Sequence, residues 1–235
     1  QHAGGLVGSH FGSGSIAQTY ATGLVTGTGV DVGGLVGRAD GTTSVTHSFW
    51  DTQSTGQNIS AGGSGAQGVS TAQIQDLNTF KNAGWDIDNV GATGRVWRIY
   101  DSLTAPLLRH FMVSKSLNGD QSSSVTYNGS NQTAVTALAN THANWDTSKL
   151  FVNSQALGST LTARNAGTYD TTYYSHQQGY DLIDNQGTFT IDKAQLNLQA
   201  ASDTRVYDGS TASAAQVTHS ALANGDSITG LSQAF

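Results

Sequence analysis

Close pairs of acidic side chains are the first residues of this chain that could do chemistry. Asp86 with Asp88, and Asp181 with Asp184, are such pairs. Two carboxylates about 5–5.5 Å apart serve retaining glycoside hydrolysis, and a wider pair serves the inverting reaction. Polysaccharide-cleaving enzymes built on stacked strands gather such acids on one face of several layers. Here residues 1–48 hold only Asp31 and Asp40 as acids, which is thin for that purpose. The 7 histidines are scattered, and none lies four positions from another, so a helix-borne zinc pair is absent. The chain has no cysteine, which excludes disulfides, a thiol nucleophile and thiolate zinc sites. Asp120, Asp170, Asp181, Asp184 and Asp226 carry hard oxygen ligands, so Ca²⁺ between modules is the one cofactor the sequence admits; solvated turn carboxylates are the plainer alternative. Gly62-Gly63-Ser64-Gly65 lacks a following Lys-Ser/Thr and reads as a loop, not a phosphate cradle. No residue is assigned a catalytic, cofactor or metal role.

The ligand-binding candidates are Tyr174, His176 and Tyr180, in the densest aromatic stretch of the second half. Strand alternation sends Tyr169 and Tyr173 to one face and Tyr174 to the other. Tyr174, His176 and Tyr180 then form a sugar-stacking patch, or Tyr174 is an isolated surface residue beside a Tyr169/Tyr173 core. Asn58, Asn128 and Asn131 each open an Asn-Xaa-Ser/Thr tripeptide, a pattern open to sugar attachment and also expected by chance in a chain rich in Ser and Thr.

The elements that position these residues follow from a repeat. Gly4-Gly5-Leu6-Val7-Gly8 returns as Gly33-Gly34-Leu35-Val36-Gly37, and Ile16-Ala17-Gln18-Thr19-Tyr20 as Val45-Thr46-His47-Ser48-Phe49. A fixed period in the range of about 20–50 residues marks units that cannot bury an apolar face without their neighbours. The register stacks Leu6 on Leu35, Ile16 on Val45 and Tyr20 on Phe49, with the aromatics as core and His47 on an exterior strand. Residues 52–68 are rich in Gly, Ser and Gln and read as a loop. Ser70 and Gln73 are spaced as a capping box, Ile74, Leu77 and Phe80 share a helical face, and Gly84 supplies the stop. Trp85, Val96, Trp97, Ile99 and Tyr100 follow as short aromatic-rich strands. A stack exposes its core at its end, so residues 70–115 are assigned as a cap.

From about Ser116 the texture alternates with period two, in Ser124–Tyr127, Leu150–Val152, Thr168–Tyr173 and Thr188–Ile191, the pattern of a β-sandwich. Tyr127-Asn128-Gly129-Ser130 recurs as Tyr207-Asp208-Gly209-Ser210. The reading is therefore residues 1–69 as stacked layers with a following loop, 70–115 as cap, 116–194 as one sandwich module and 195–235 as part of a second, whose missing strands leave an unpaired edge.

The repeat, with Thr19-Tyr20-Ala21-Thr22-Gly23 and Ser48-Phe49-Trp50-Asp51, resembles the GLUG motif. Val206-Tyr207-Asp208-Gly209-Ser210-Thr211, Gly225-Asp226-Ser227 and Gly187–Ala194 resemble the mostly bacterial Ig-like and YDG-type repeats. Both occur in filamentous-haemagglutinin-like bacterial adhesins of the two-partner-secretion type. The resemblance implies a mainly β fold: the end of a right-handed parallel β-helix, a small helical and β cap, then an Ig-like β-sandwich and part of another. It also implies a secreted or outer-surface location and a role in adhesion or biofilm attachment, with exopolysaccharide, host glycan, matrix protein or self-association as partners. The alternatives are a structural spacer without a ligand and a β-helical carbohydrate-active enzyme.

Composition bounds these readings. Among 235 residues only 11% are charged, against about 25% in ordinary chains, and 10 Lys+Arg with a net charge of −6 show no basic stripe for nucleic acid. No apolar run approaches the ~18 residues of a membrane span, so no membrane insertion of this segment is expected. Absent cysteine also suits export through an outer-membrane pore, where periplasmic disulfides would obstruct an unfolded chain.

Overall fold

A computed structural model describes residues 1–119, 122–134, 144–153 and 161–234. The chain is mainly β, with its strands spread over many small sheets. It divides into two units, Gln1–Ser116 with Tyr174–Asp184, and Leu117–Tyr173 with Asn185–Phe235.

In the first unit the sequence repeat becomes a set of parallel ladders. His2–Gly4 lies on Asp31–Gly33, Val7–His10 on Val36–Ala39, Ser15–Ala17 on Ser44–Thr46, and Tyr20–Ala21 on Ser48–Asp51. Ile16 faces Val45 and Tyr20 faces Phe49, in the register the period predicts. The corners repeat too. Gly12 and Gly41 have φ of 86° and 81°, and Gln18 and His47 have φ of 50° and 47°. His47 therefore sits at a corner between strands, not within one as expected. A left-handed conformation costs a side-chain-bearing residue roughly 1–2 kcal/mol. Both corners are tied down: the Gln18 amide donates to Gly84 O at 2.9 Å, and His47 O accepts from Trp85 Nε1 at 2.8 Å. The motif glycines are required by close packing. A Cβ on Gly34 would lie 2.0 Å from Trp50 Cδ1, and one on Gly33 would lie 2.0 Å from Val36 O.

The segment 52–68 is not all loop. Ala66–Val69 is a strand paired in parallel with Ser48–Asp51. Upstream, Gly34 N–H donates to Ile59 O at 2.8 Å and Ala61 N–H to Val36 O at 2.9 Å, so a shortened third layer lies on the second. Its Gly- and Ser-rich sequence has little strand preference of its own; the open backbone edge of Phe49 and Trp50 supplies the partners. Layers on both sides leave Leu35 fully buried, whereas Leu6 in the first layer stays 45% exposed. Asp51 starts the turn into this layer, capping the helical turn Thr52–Thr55 through Gln53 and Ser54 N–H and accepting from Thr71 Oγ1 at 2.7 Å.

The expected helix forms in two pieces. Ser70 and Gln73 close a capping box on Thr71–Ile74, and Asp76 caps Leu77–Asn82, with Gly84 at φ 74° beyond it. Ile74, Leu77 and Phe80 are buried in one cluster with Phe49, Trp85, Ile87 and Ile99. Ring centroids lie 5.3 Å apart for Phe49–Phe80 and 4.8 Å for Phe80–Trp85, both edge-on, the favourable aromatic geometry. Ile87–Asp88, Trp97–Arg98 and Leu107–Leu108 make a three-stranded sheet over this core. Tyr20 O–H donates to Pro106 O at 2.6 Å, joining the layers to that sheet. Val113–Ser116 then pairs in parallel with Tyr180–Ile183.

In the second unit the four alternating segments form one sheet, ordered Ser123–Thr126, Gln186–Asp192, Gly167–Tyr174 and Phe151–Asn153. Its first pair is parallel and its second antiparallel. Gln132–Thr133 pairs separately with Thr162–Ala163. Val152, Leu161, Tyr173, Phe189 and Ile191 are buried here. Beyond residue 194 the strands are Leu198–Gln199 and Thr218–His219, paired with each other, and Val206 and Tyr207 stay 90% exposed. This last part meets the module before it where Tyr127 O–H donates to Asp226 at 2.8 Å. Among the described residues no helix is long and apolar enough to cross a membrane.

Candidate functional site

The structure brings Tyr174, His176 and Tyr180 into one region but does not lay them out as a sugar platform. Tyr174 and Tyr180 are each only 7% exposed, while His176 is exposed. The Tyr174 ring packs edge-on to Tyr100 at 6.3 Å and to His176 at 5.6 Å. Tyr173 is fully buried as well, so alternation does not give this strand end a wet face. Both faces are covered, and a buried ring cannot stack on a sugar. Burial also raises the phenol of Tyr174 above its ordinary value. Tyr169, expected in the core, is half-buried, with its hydroxyl donating to Asn165 O at 2.9 Å.

Beneath this region lies an ionic cluster that sequence reasoning did not pick out. Asp181 Oδ1 is 3.4 Å from Arg98 Nε, and Asp181 Oδ2 accepts from Arg109 Nη1 and, at 2.9 Å, from Ala92 N–H. Arg98 is completely buried; its guanidinium lies 4.2 Å from the Tyr100 ring centroid and has no hydrogen-bond acceptor in geometry. Burial lowers the Arg98 pKa, with Tyr100 and Asp181 opposing the shift. Tyr100 O–H donates to Tyr180 O at 2.7 Å and accepts from Leu182 N–H at 2.9 Å. The only sequence signal was Asp181 itself, considered as an acid beside Asp184; its partners are 72 and more positions away.

An open groove of about 520 Å³ flanks the third layer. Gln67 lines it from the strand Ala66–Val69, Gln73, Thr79 and Asn82 from the two helical turns, and His47 from its corner, with buried Phe49 beneath. Gln67, Gln73, Asn82 and His47 are exposed. The lining carries amides and hydroxyls and no carboxylate, lysine or arginine. Such a surface can hydrogen-bond a neutral polyhydroxylated ligand. A second groove, about 610 Å³, lies in the other unit between Tyr127, Asn165, Lys193, Leu222 and Asp226.

Asn58, Asn128 and Asn131 are all exposed. Ser60, the hydroxyl residue of the first tripeptide, accepts from Val36 N–H at 2.8 Å and so serves the third layer. Of the five aspartates considered for calcium, Asp120 lies outside the described residues. Asp181 is held by the two arginines and Asp226 by Tyr127. Among the described residues no group of three or more His, Asp or Glu is placed to hold a metal ion. Comparison with protein-family models, with curated proteins and with solved structures finds no match for this chain.

Proposed function

We propose that this chain is a segment of a secreted or surface-displayed bacterial adhesin, a load-carrying stalk with a shallow recognition surface. In this reading the stacked layers are the end of a parallel β-helix, residues 70–115 are its cap, and Ig-like modules continue the stalk. The observation that carries it is the in-register parallel stacking of the two 29-residue repeats. A unit of that kind adds length by repetition, and long chains of weak sites gain avidity without deep pockets. The groove at Gln67, Gln73, Thr79 and Asn82 is the proposed point of contact, because neutral hydrogen-bonding groups suit exopolysaccharide or host glycan. The role is non-catalytic. The test is binding of the fragment to bacterial exopolysaccharides and host glycans, with and without Ca²⁺. Saturable binding to one sugar class supports the proposal. Absence of binding across the panel sinks the recognition half and leaves the spacer reading, which burial of Tyr174 and Tyr180 already favours over an aromatic sugar platform.

A further inference from the structure

We infer that two of the parallel strand pairs, Val113–Ser116 with Tyr180–Ile183 and Ser123–Thr126 with Gln186–Asp192, are force-bearing clamps, carrying tension along the chain past the residues between them. The inference rests on the stalk reading for its source of tension. In one unit, Val113–Ser116 pairs with Tyr180–Ile183, Val113 opposite Tyr180 and Ser116 opposite Ile183. In the other, Ser123–Thr126 pairs with the end of Gln186–Asp192, Ser123 opposite Phe189 and Thr126 opposite Asp192. The first pair thus joins the strand entering the 117–179 segment to the strand leaving it, and the second does the same for residues 127–188. In a parallel pair the entry of one strand and the exit of the other lie at opposite ends of the ladder. Tension through them slides one strand along the other, so the evenly spaced hydrogen bonds are loaded together. Pulling both strands from the same end would break those bonds one after another.

The exit strand of the first clamp is held on its other side as well. Asp181 is fixed by Arg109 and Arg98, and Tyr100 O–H bridges Tyr180 O and Leu182 N–H. Gly91 lets the backbone close in, since a Cβ there would lie 2.0 Å from Leu182 O. Val113 N–H donates to Gly179 O at 2.9 Å and Tyr127 N–H to Asp192 O at 2.8 Å, each adding a rung beyond its ladder. A fully buried ion pair is a poor source of net stability, but it resists removal of one partner. That property is useful where a strand must not slip.

The test is directional pulling on the full chain by optical tweezers. With no native cysteine, handles attach cleanly to introduced pairs. Cysteines replacing exposed Phe111 and Leu196 load both ladders lengthwise; cysteines replacing Ser122 and Thr188 open the second from one end. The expected result is a severalfold higher rupture force for the first pair. Residues 117–179 should be released only at that rupture, on the order of 200 Å of chain at ~3.3–3.6 Å per residue. Asp181→Asn in the lengthwise pair should lower the force and leave the released length unchanged. Equal forces in the two directions, or release of residues 117–179 before the rupture, overturn the inference even if Asp181→Asn fails to fold. Equal forces with glycan binding intact leave the adhesin reading standing; absent binding with directional strength intact removes recognition and keeps the clamp.

Discussion

Asp181 and Arg98 sit against one another in the interior, Oδ1 to Nε at 3.4 Å, with side-chain exposures of 3% and 0%. Eighty-odd positions separate them in the chain, and neither belongs to a repeat. Arg109 completes the cluster at the second carboxylate oxygen. The pairing pins the returning segment 174–184 to the sheet that carries Trp97 and Arg98.

Removing the carboxylate charge leaves two guanidinium groups with a neutral amide between them. Breaking one partner out of a buried ion pair costs about 3–5 kcal/mol. Asp181→Asn should lower the urea midpoint accordingly, and amide exchange should speed up first at Leu182 and along Val113–Ser116. A shift of the midpoint within error would remove the cluster from the structural account.

Asp51 links acid stability to the third layer. Burial pushes its carboxyl up, but hydrogen bonds from Thr71, Gln53 and Ser54 outweigh this and hold it below the ordinary carboxylate range. A depressed folded pKa contributes stability that is present above the unfolded value, about 3.9, and is lost as pH falls through the folded one. Denaturation between pH 6 and pH 2 should therefore show a loss that Asp51→Asn reduces, the remainder coming from the other lowered carboxyls of Asp86, Asp146 and Asp203. As a helix cap, Asp51→Ala should also cost about 0.5–2 kcal/mol at neutral pH.

Tyr173 sets the alkaline limit of the second unit. Burial raises its phenol from 10.0 to about 12. A raised folded pKa gives stability that is complete below the unfolded value and is lost as pH rises through the folded one. Phenolate absorbance near 295 nm should show a late-titrating component, together with loss of structure, to which Tyr173 contributes beside the other raised phenols of Tyr20, Tyr100, Tyr127 and Tyr174. Tyr173→Phe should shrink that late component by one tyrosine, and an undiminished late component in the variant would contradict the assignment.

Gly34 tests whether the repeat glycines answer to packing. An added Cβ would meet the Trp50 ring at 2.0 Å, so Gly34→Ala should cost about 1–3 kcal/mol by overpacking and quench or shift Trp50 fluorescence. Gly23→Ala, where a Cβ meets nothing within 4 Å, is the matched control and should be near neutral.

The groove makes a separable prediction. Gln67→Ala and Asn82→Ala alter exposed side chains, so stability should change by no more than about 0.5 kcal/mol. Binding of a neutral oligosaccharide, measured by calorimetry, should weaken in both. Full affinity in the double variant would move the contact point elsewhere.

Sequence alone determined whatever depends on local pattern or on a period. The spacing of Gly4–Gly8 and Gly33–Gly37 set the register that places Ile16 on Val45 and Tyr20 on Phe49, because equivalent residues of a stacked repeat must meet. Ser70 with Gln73 announced a capped helix start, and alternation located the four strands of the second sheet. The tertiary structure decided the rest. Ala66–Val69 became a strand because an open ladder edge lay beside it, a cause absent from its own composition. Tyr174 and Tyr180 went inside because Tyr100 and the returning chain cover a strand end that alternation left facing solvent. Asp181 met Arg98 and Arg109 only because the chain crosses back over the cap, and no periodicity records such a meeting: an ion pair depends on distance in space, and a sequence prints only distance along the chain.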